Sequence, residues 1–356
     1  MKLPILLVAS LVLSLSTLLR AQLSESRSWK DVTGRVIQAE FVTADDKSVT
    51  LKVGGKDFPL PLERLAAEDR EWIKQKMTPA PAAAVSVATT TLGELKIAGV
   101  TIKPGVKAEF EAPLSETLLA KLKKRIGSAK DSYSDIDMTK AAVGLFVPAN
   151  FDPAKSWPIM IVSVTDSGRD KGKFPSSVKS MGSFIDAAKD LGWVVLAADC
   201  PGNLTPGLPF NRCGLAEAGL EAMAAAWPNS KTWPIATGGF SGGAKYSGWL
   251  GGWFCEGGRQ VLGMFMGGCN ADMATMAIDE IKPPKKQFTA AKVFLSSGKE
   301  DKIAGPIPTA EVAKSLKRSG FDAVKVEAFD GGHEVNKAHV LAAMRWFAEP
   351  PTTKEK

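Results

Sequence analysis

The sequence predicts an α/β protein: a mainly parallel sheet covered by helices on both faces, preceded by a small barrel-like β unit. Three observations carry this. From about residue 96 onward, near-continuous apolar runs alternate with helical stretches, the pattern of parallel strands buried on both sides. In residues 27–76 hydrophobicity instead alternates with period two along short segments, as in half-buried strands. Between the two lies "MTPAPAAAVSVATTTLGEL", rich in Ala, Pro and Thr and uncharged until Glu94, the composition of an exposed tether. The expected organisation is therefore a unit at 24–78, a linker at 79–95 and a large domain at 96–350. At 356 residues and 45% hydrophobic, the chain can bury one large core and one small one.

The first residues, "MKLPILLVASLVLSLSTLLRAQ", run from a lysine through an apolar core to small and polar residues, the layout of a secretory signal peptide over residues 1–21. The expectation is a secreted or periplasmic protein; a retained segment would tie it to a membrane. Export bears on the four cysteines, for which Cys200 with Cys213 and Cys255 with Cys269 would each close a short loop. Buried free thiols are the competing reading. The formal charge of +7 loses Lys2 and Arg20 with the leader, leaving +5. Both signs are dispersed, which excludes the clustered basic face of a nucleic-acid binder. With only His333 and His339 and no CxxC pair, no metal site is expected.

In the small unit Ile37, Ala39 and Phe41 alternate, as do Val49, Leu51 and Val53, with turns at "ADDK" and Gly54-Gly55. A closing helix offers Leu65, Trp72 and Ile73 to the sheet. The segments "SRSW", "DVTGR", "QAEFV", "VTLK" and "PLERLAAEDREWI" resemble the SLA1 homology domain 1 (SHD1), an SH3-like barrel. The resemblance spans nearly the whole unit. It implies binding to a protein or peptide partner, since the family is associated with cytoskeletal proteins, ubiquitin and short motifs. A spacer without a partner is the plain alternative.

The large domain is expected to hold strands at 141–148, 158–164, 193–199, 233–240, 261–268, 291–297 and 323–329. Helical stretches such as "SVKSMGSFIDAAKDLG", "GLAEAGLEAMAAAW" and "IPTAEVAKSLKRSG" separate most of them. Within this pattern, "GGFSGGAKYSGWL" places Ser241 directly after a strand and before a helix. That is the position a G-x-S-x-G nucleophile elbow requires, with Gly239 and Gly243 free of the Cβ atoms that would collide at the turn. Composition alone yields about 0.2 chance matches to the pattern, so placement rather than spacing carries the assignment. The Gly242 amide, at the helix start, is positioned to receive a developing oxyanion.

A serine hydroxyl needs a base to take its proton. His333, in the loop "FDGGHEV" after the last strand, is the candidate, whereas His339 falls inside the terminal helix. An orienting carboxylate follows "AKVFLSS": Asp301 is the natural choice, with Glu300 beside it and Asp272 more remote. A second oxyanion amide is expected from Thr165 or Asp166, although Val164 stands where a histidine-glycine-glycine run usually begins.

Taken together, "GGFSGGAKYSGWL", "SSGKEDKI" and "DGGHEV" resemble the α/β-hydrolase superfamily over residues 140–350, with a doubly wound, mainly parallel sheet. Among its branches they are similar to secreted esterases of the polyhydroxybutyrate depolymerase and feruloyl or acetylxylan esterase kind. The resemblance implies hydrolysis of a small or polymeric ester by a serine esterase with no cofactor, through Ser241, His333 and Asp301. No long apolar lid is evident, which points away from lipases. The rival is a non-catalytic binding or adaptor protein with an idle hydrolase-like domain. Trp249 and Trp253 read as core, and the segment 200–213 as a proline-rich connection at a strand's carboxyl end.

Overall fold

The computed structural model describes residues 26–77 apart from 45–47 and 55, and residues 95–350 apart from 130–136, 167–175 and 203. The expected signal peptide and nearly all of the linker lie outside them. The chain divides into two compact units, Met1–Thr91 and Leu92–Lys356.

The first unit is an antiparallel sheet of β1 (Ser26–Lys30), β2 (Val36–Ala44), β3 (Ser48–Val53) and β4 (Lys56–Pro61), paired in chain order. Helix α1 (Ala67–Met77) follows. Trp29, Ala39, Val49, Leu51, Leu65 and Ile73 form its core. Trp29 donates its indole N–H to the Ala39 carbonyl at 2.9 Å, which satisfies the one polar atom of a fully buried ring. Val53, expected on the inner face with Val49 and Leu51, is exposed, because β3 ends there at the Gly54 turn.

The second unit begins with a two-stranded pair, β5 (Lys96–Ile97) and β6 (Val100–Thr101), then β7 (Ala108–Pro113), α2 (Glu116–Ile126), β8 (Lys140–Phe146) and β9 (Ile159–Ser163). It continues through α3 (Gly182–Leu191), β10 (Val194–Asp199), α4 (Pro209–Ala226), β11 (Ile235–Phe240), α5 (Gly242–Glu256) and β12 (Val261–Gly267). The last elements are α6 (Met273–Glu280), α7 (Lys285–Thr289), β13 (Lys292–Gly298), α8 (Pro306–Ser319), β14 (Val324–Phe329) and α9 (Lys337–Ala348). Eight strands form one sheet in the order β14-β13-β12-β11-β9-β10-β8-β7. All neighbours are parallel except the β10–β8 and β8–β7 pairs.

The apolar strands feed two cores in alternation. Ile159 and Ile161 of β9 enter one cluster, Met160 and Val162 the other; Val194 and Leu196 of β10 oppose Val195 and Ala197 in the same way. Helices α3 and α9 cover one face, while α2, α4, α5 and α8 contribute to the core on the other. A mainly parallel sheet covered on both faces is thus the observed architecture.

Three details depart from expectation. The edge strand β7, "AEFEAP", carries too little apolar character to announce itself and buries only Phe110 and Ala112. At the opposite edge β14 is largely exposed, Val326 at 43%, because only β13 pairs with it. The four cysteines are buried thiols that form no disulfide, which overturns the suggested Cys200–Cys213 and Cys255–Cys269 bridges. Their sulfurs occupy separate packing sites: Cys200 lies 3.6 Å from the Met138 sulfur, and Cys269 donates to the Ala271 carbonyl. Burial raises the Cys213 thiol well above its usual range and pushes Cys255 and Cys269 up to about 11, so these stay protonated at neutral pH.

Candidate active site

Strand order decides where a site can form. From β9 the chain passes to β10 on one side, then crosses back so that β11 pairs with β9 on the other. This reversal is the topological switch point at which open α/β sheets bind ligands. Because β9, β11, β12, β13 and β14 run parallel, the residues after their carboxyl ends share one rim. Thr165, Ser241, Asp301 and His333 all lie there.

Ser241 sits between β11 and α5 with φ 57° and ψ −117°, a conformation that costs a non-glycine residue about 1–3 kcal/mol. The neighbouring glycines hold it there by close approach. A Cβ on Gly243 would stand 2.1 Å from the Ser163 carbonyl oxygen, and one on Gly239 2.3 Å from the same atom. Both obstacles are backbone, so no side-chain movement relieves them.

His333 Nε2 lies 3.0 Å from Ser241 Oγ, and His333 Nδ1 lies 2.7 Å from Asp301 Oδ2. With Asp301 ionised, its carboxylate accepts a hydrogen bond from Nδ1–H and leaves Nε2 to accept one from the serine hydroxyl. The Asp301 side chain is 1% exposed. Burial works against its charge but is outweighed by the Ala304 amide, the His333 ring and the Ile303 amide, which together hold the carboxyl below its ordinary value. Glycines again make room for the imidazole. A Cβ on Gly268 would meet the Phe240 ring at 2.8 Å and His333 Cε1 at 3.1 Å, and one on Gly298 would meet the Gly332 carbonyl at 2.2 Å. Phe240 packs against the His333 ring at 4.6 Å between centroids.

The other candidate acids are elsewhere. Glu300 is exposed, with its amide tied to the Gly331 carbonyl. Asp272 caps α6 by accepting from the Thr275 amide and hydroxyl. His339, at the start of α9, bonds Ser296 through Nδ1 at 2.8 Å and faces Glu327 at 3.6 Å. Burial lowers its basicity, only partly offset by Glu327, so it is a core-edge residue away from Ser241.

Gly242 opens α5 beside Ser241, and its amide donates to the Thr165 hydroxyl at 3.0 Å. Thr165 therefore meets the Gly242 amide through its side chain, a contact that spacing does not disclose. The segment 163–165 is itself gripped by Arg212 of α4, which is buried and was not singled out in the sequence. Its Nη1 donates to Ser163 Oγ at 2.8 Å and to the Val164 carbonyl, and its Nε to the Pro206 carbonyl at 2.7 Å. Trp249 and Trp253 are buried in the core behind the elbow. Among the described residues, no group of three or more His, Cys, Asp or Glu is arranged to hold a metal, and no helix is long and apolar enough to cross a membrane.

No family model matches this chain, and no curated protein does. Solved structures similar to it include a thermostable esterase at 16% identity and TM-score 0.40, the match covering 58% of each chain. A lidless α/β serine hydrolase from Xanthomonas campestris aligns at 16% identity and TM-score 0.43, over 71% of this chain and all of that one. An esterase from Pyrococcus furiosus aligns at 14% and 0.41, over 68% and 89%. Likeness this distant leaves function to be read from the chain's own residues.

Proposed function

We propose that this protein is an exported serine hydrolase of the α/β-hydrolase superfamily, cleaving carboxylic esters through an acyl-enzyme on Ser241. The observation that carries the reading is the continuous chain from Ser241 Oγ to His333 Nε2 and from His333 Nδ1 to Asp301, at 3.0 and 2.7 Å. In this scheme His333 takes the serine proton as Oγ bonds to the ester carbonyl carbon, and the resulting imidazolium is stabilised by Asp301. The Gly242 amide, exchanging the Thr165 hydroxyl for the substrate oxygen, and the Thr165 amide receive the oxyanion. His333 then passes its proton to the departing alkoxide, and a water deprotonated by the same ring releases the acid and restores the serine. Residues 1–21 act as the export signal.

The first unit fits an SH3-like module of the SLA1 type that takes a protein or short-peptide partner. A groove lined by Trp29, Asp31, Arg35, Ile37, Leu60, Arg64 and Leu65 supports that role. The catalytic reading is tested by labelling with a fluorophosphonate probe and by hydrolysis of p-nitrophenyl acetate. Mature protein should carry the label on Ser241 and hydrolyse the ester, and Ser241→Ala should do neither. Equal rates for the two proteins would leave the adaptor reading in its place.

A further inference from the structure

Resting on the acyl-transfer reading, we propose that Arg212 is a positioning residue of the reaction, fixing and polarising the peptide unit between Val164 and Thr165 that supplies the second oxyanion amide.

The geometry is specific to that peptide. Arg212 Nη1 donates to the Val164 carbonyl oxygen, which belongs to the same planar unit as the Thr165 N–H. No peptide bond among the described residues is cis, so this N–H points opposite to the carbonyl, away from Arg212. A charge-assisted bond at one end of a peptide strengthens donation at the other, because the hydrogen-bonded groups polarise one another in a low-dielectric interior. The elbow packs against the same residue: a Cβ on Gly242 would stand 2.9 Å from Thr165 Cα. Gly242 and Thr165 thus present their backbones to each other beside Ser241.

The guanidinium is held at Nε and Nη1 and over one ring face. Its Nε bonds the Pro206 carbonyl, Nη1 also bonds Ser163 Oγ, and its plane lies 3.7 Å from the centre of the Tyr246 ring. Tyr246 belongs to α5 and donates its hydroxyl proton to the Gly207 carbonyl at 2.7 Å. One planar fork therefore ties the end of β9, the connection before α4 and the helix that follows Ser241. Lysine, with a single rotatable ammonium, cannot hold both carbonyls in fixed planes.

The test compares Arg212→Met, Arg212→Lys and Ser241→Ala with the natural protein, reading kcat and KM on p-nitrophenyl acetate and the rate of fluorophosphonate labelling. The phosphonate oxygen occupies the same donor pair as the ester oxyanion, so both rates should fall together. Loss of an oxyanion donor outright costs about 10²- to 10³-fold, and a misaimed donor should cost about 10- to 100-fold in kcat, with KM within about 3-fold. Arg212→Lys should fall between Arg212→Met and the natural protein. A folded Arg212→Met with undiminished kcat, or a loss confined to KM, would overturn the assignment. Should Arg212→Met fail to fold, full activity in Arg212→Lys would overturn it equally. Undiminished hydrolysis by Ser241→Ala would sink the acyl-transfer reading itself, and the role of Arg212 with it.

Discussion

Asp301 receives two backbone amides on one carboxylate oxygen and the imidazole on the other, so its orientation does not depend on His333. Its folded value lies below the ordinary 3.8, so the stability that these contacts give is complete above 3.8 and lost only as pH falls through the depressed folded value. The carboxylate is consequently charged at neutral pH. Asp301→Asn should keep the fold but cut kcat about 10³- to 10⁴-fold, because the amide admits the wrong ring tautomer. Glu300→Gln, altering an exposed side chain, should stay within about 2-fold of the natural rate. Steady-state kinetics on the two variants decides between these carboxylates. The meeting of Ser241, Asp301 and His333 was legible because each follows the carboxyl end of a recognisable apolar strand. Arg212 was not, since its contact with Ser163 joins residues 49 apart and a buried arginine looks, in sequence, like any solvated one.

At the scale of elements, the elbow is a strand and a helix brought into backbone contact. Gly243→Ala forces a methyl group against the Ser163 carbonyl, a clash with main chain on β9 rather than with a yielding side chain. Overpacking of this sort costs about 1–3 kcal/mol. In a domain of this size that lowers Tm by about 2–4 °C for each kcal/mol, and thermal unfolding of the variant should show it. Unchanged Tm would mean that β9 and α5 can separate freely, which the shared contacts of Ser163 with Gly239 and Gly243 argue against. The central strands were readable as continuous apolar runs because both faces are buried. The edges were harder, for β7 is mostly polar and β14 is covered on neither face as fully as its apolar residues suggest.

For the whole molecule, the two units each enclose a separate core, six buried residues including Trp29 in the smaller and two large clusters in the other. Every residue placed in the proposed reaction belongs to the second unit. A chain beginning at Leu92 should therefore fold and hydrolyse ester within about 2-fold of the full protein, and calorimetry of the full chain should resolve a separate, smaller transition for the first unit. Loss of activity on truncation would show that the first unit takes part in catalysis or in folding. This division was readable because composition changes abruptly at the Ala-Pro-Thr stretch. The state of the cysteines was not, because a short spacing says that two thiols can be near and nothing about which cavity each sulfur fills.

The backbone angles of Ser241 have one more consequence. Glycine at 241 would relax into the same turn without the penalty borne by a side chain there, so a more heat-tolerant version of this fold is one that has given up the hydroxyl on which the proposed reaction depends. On that reading durability and reactivity compete at a single residue.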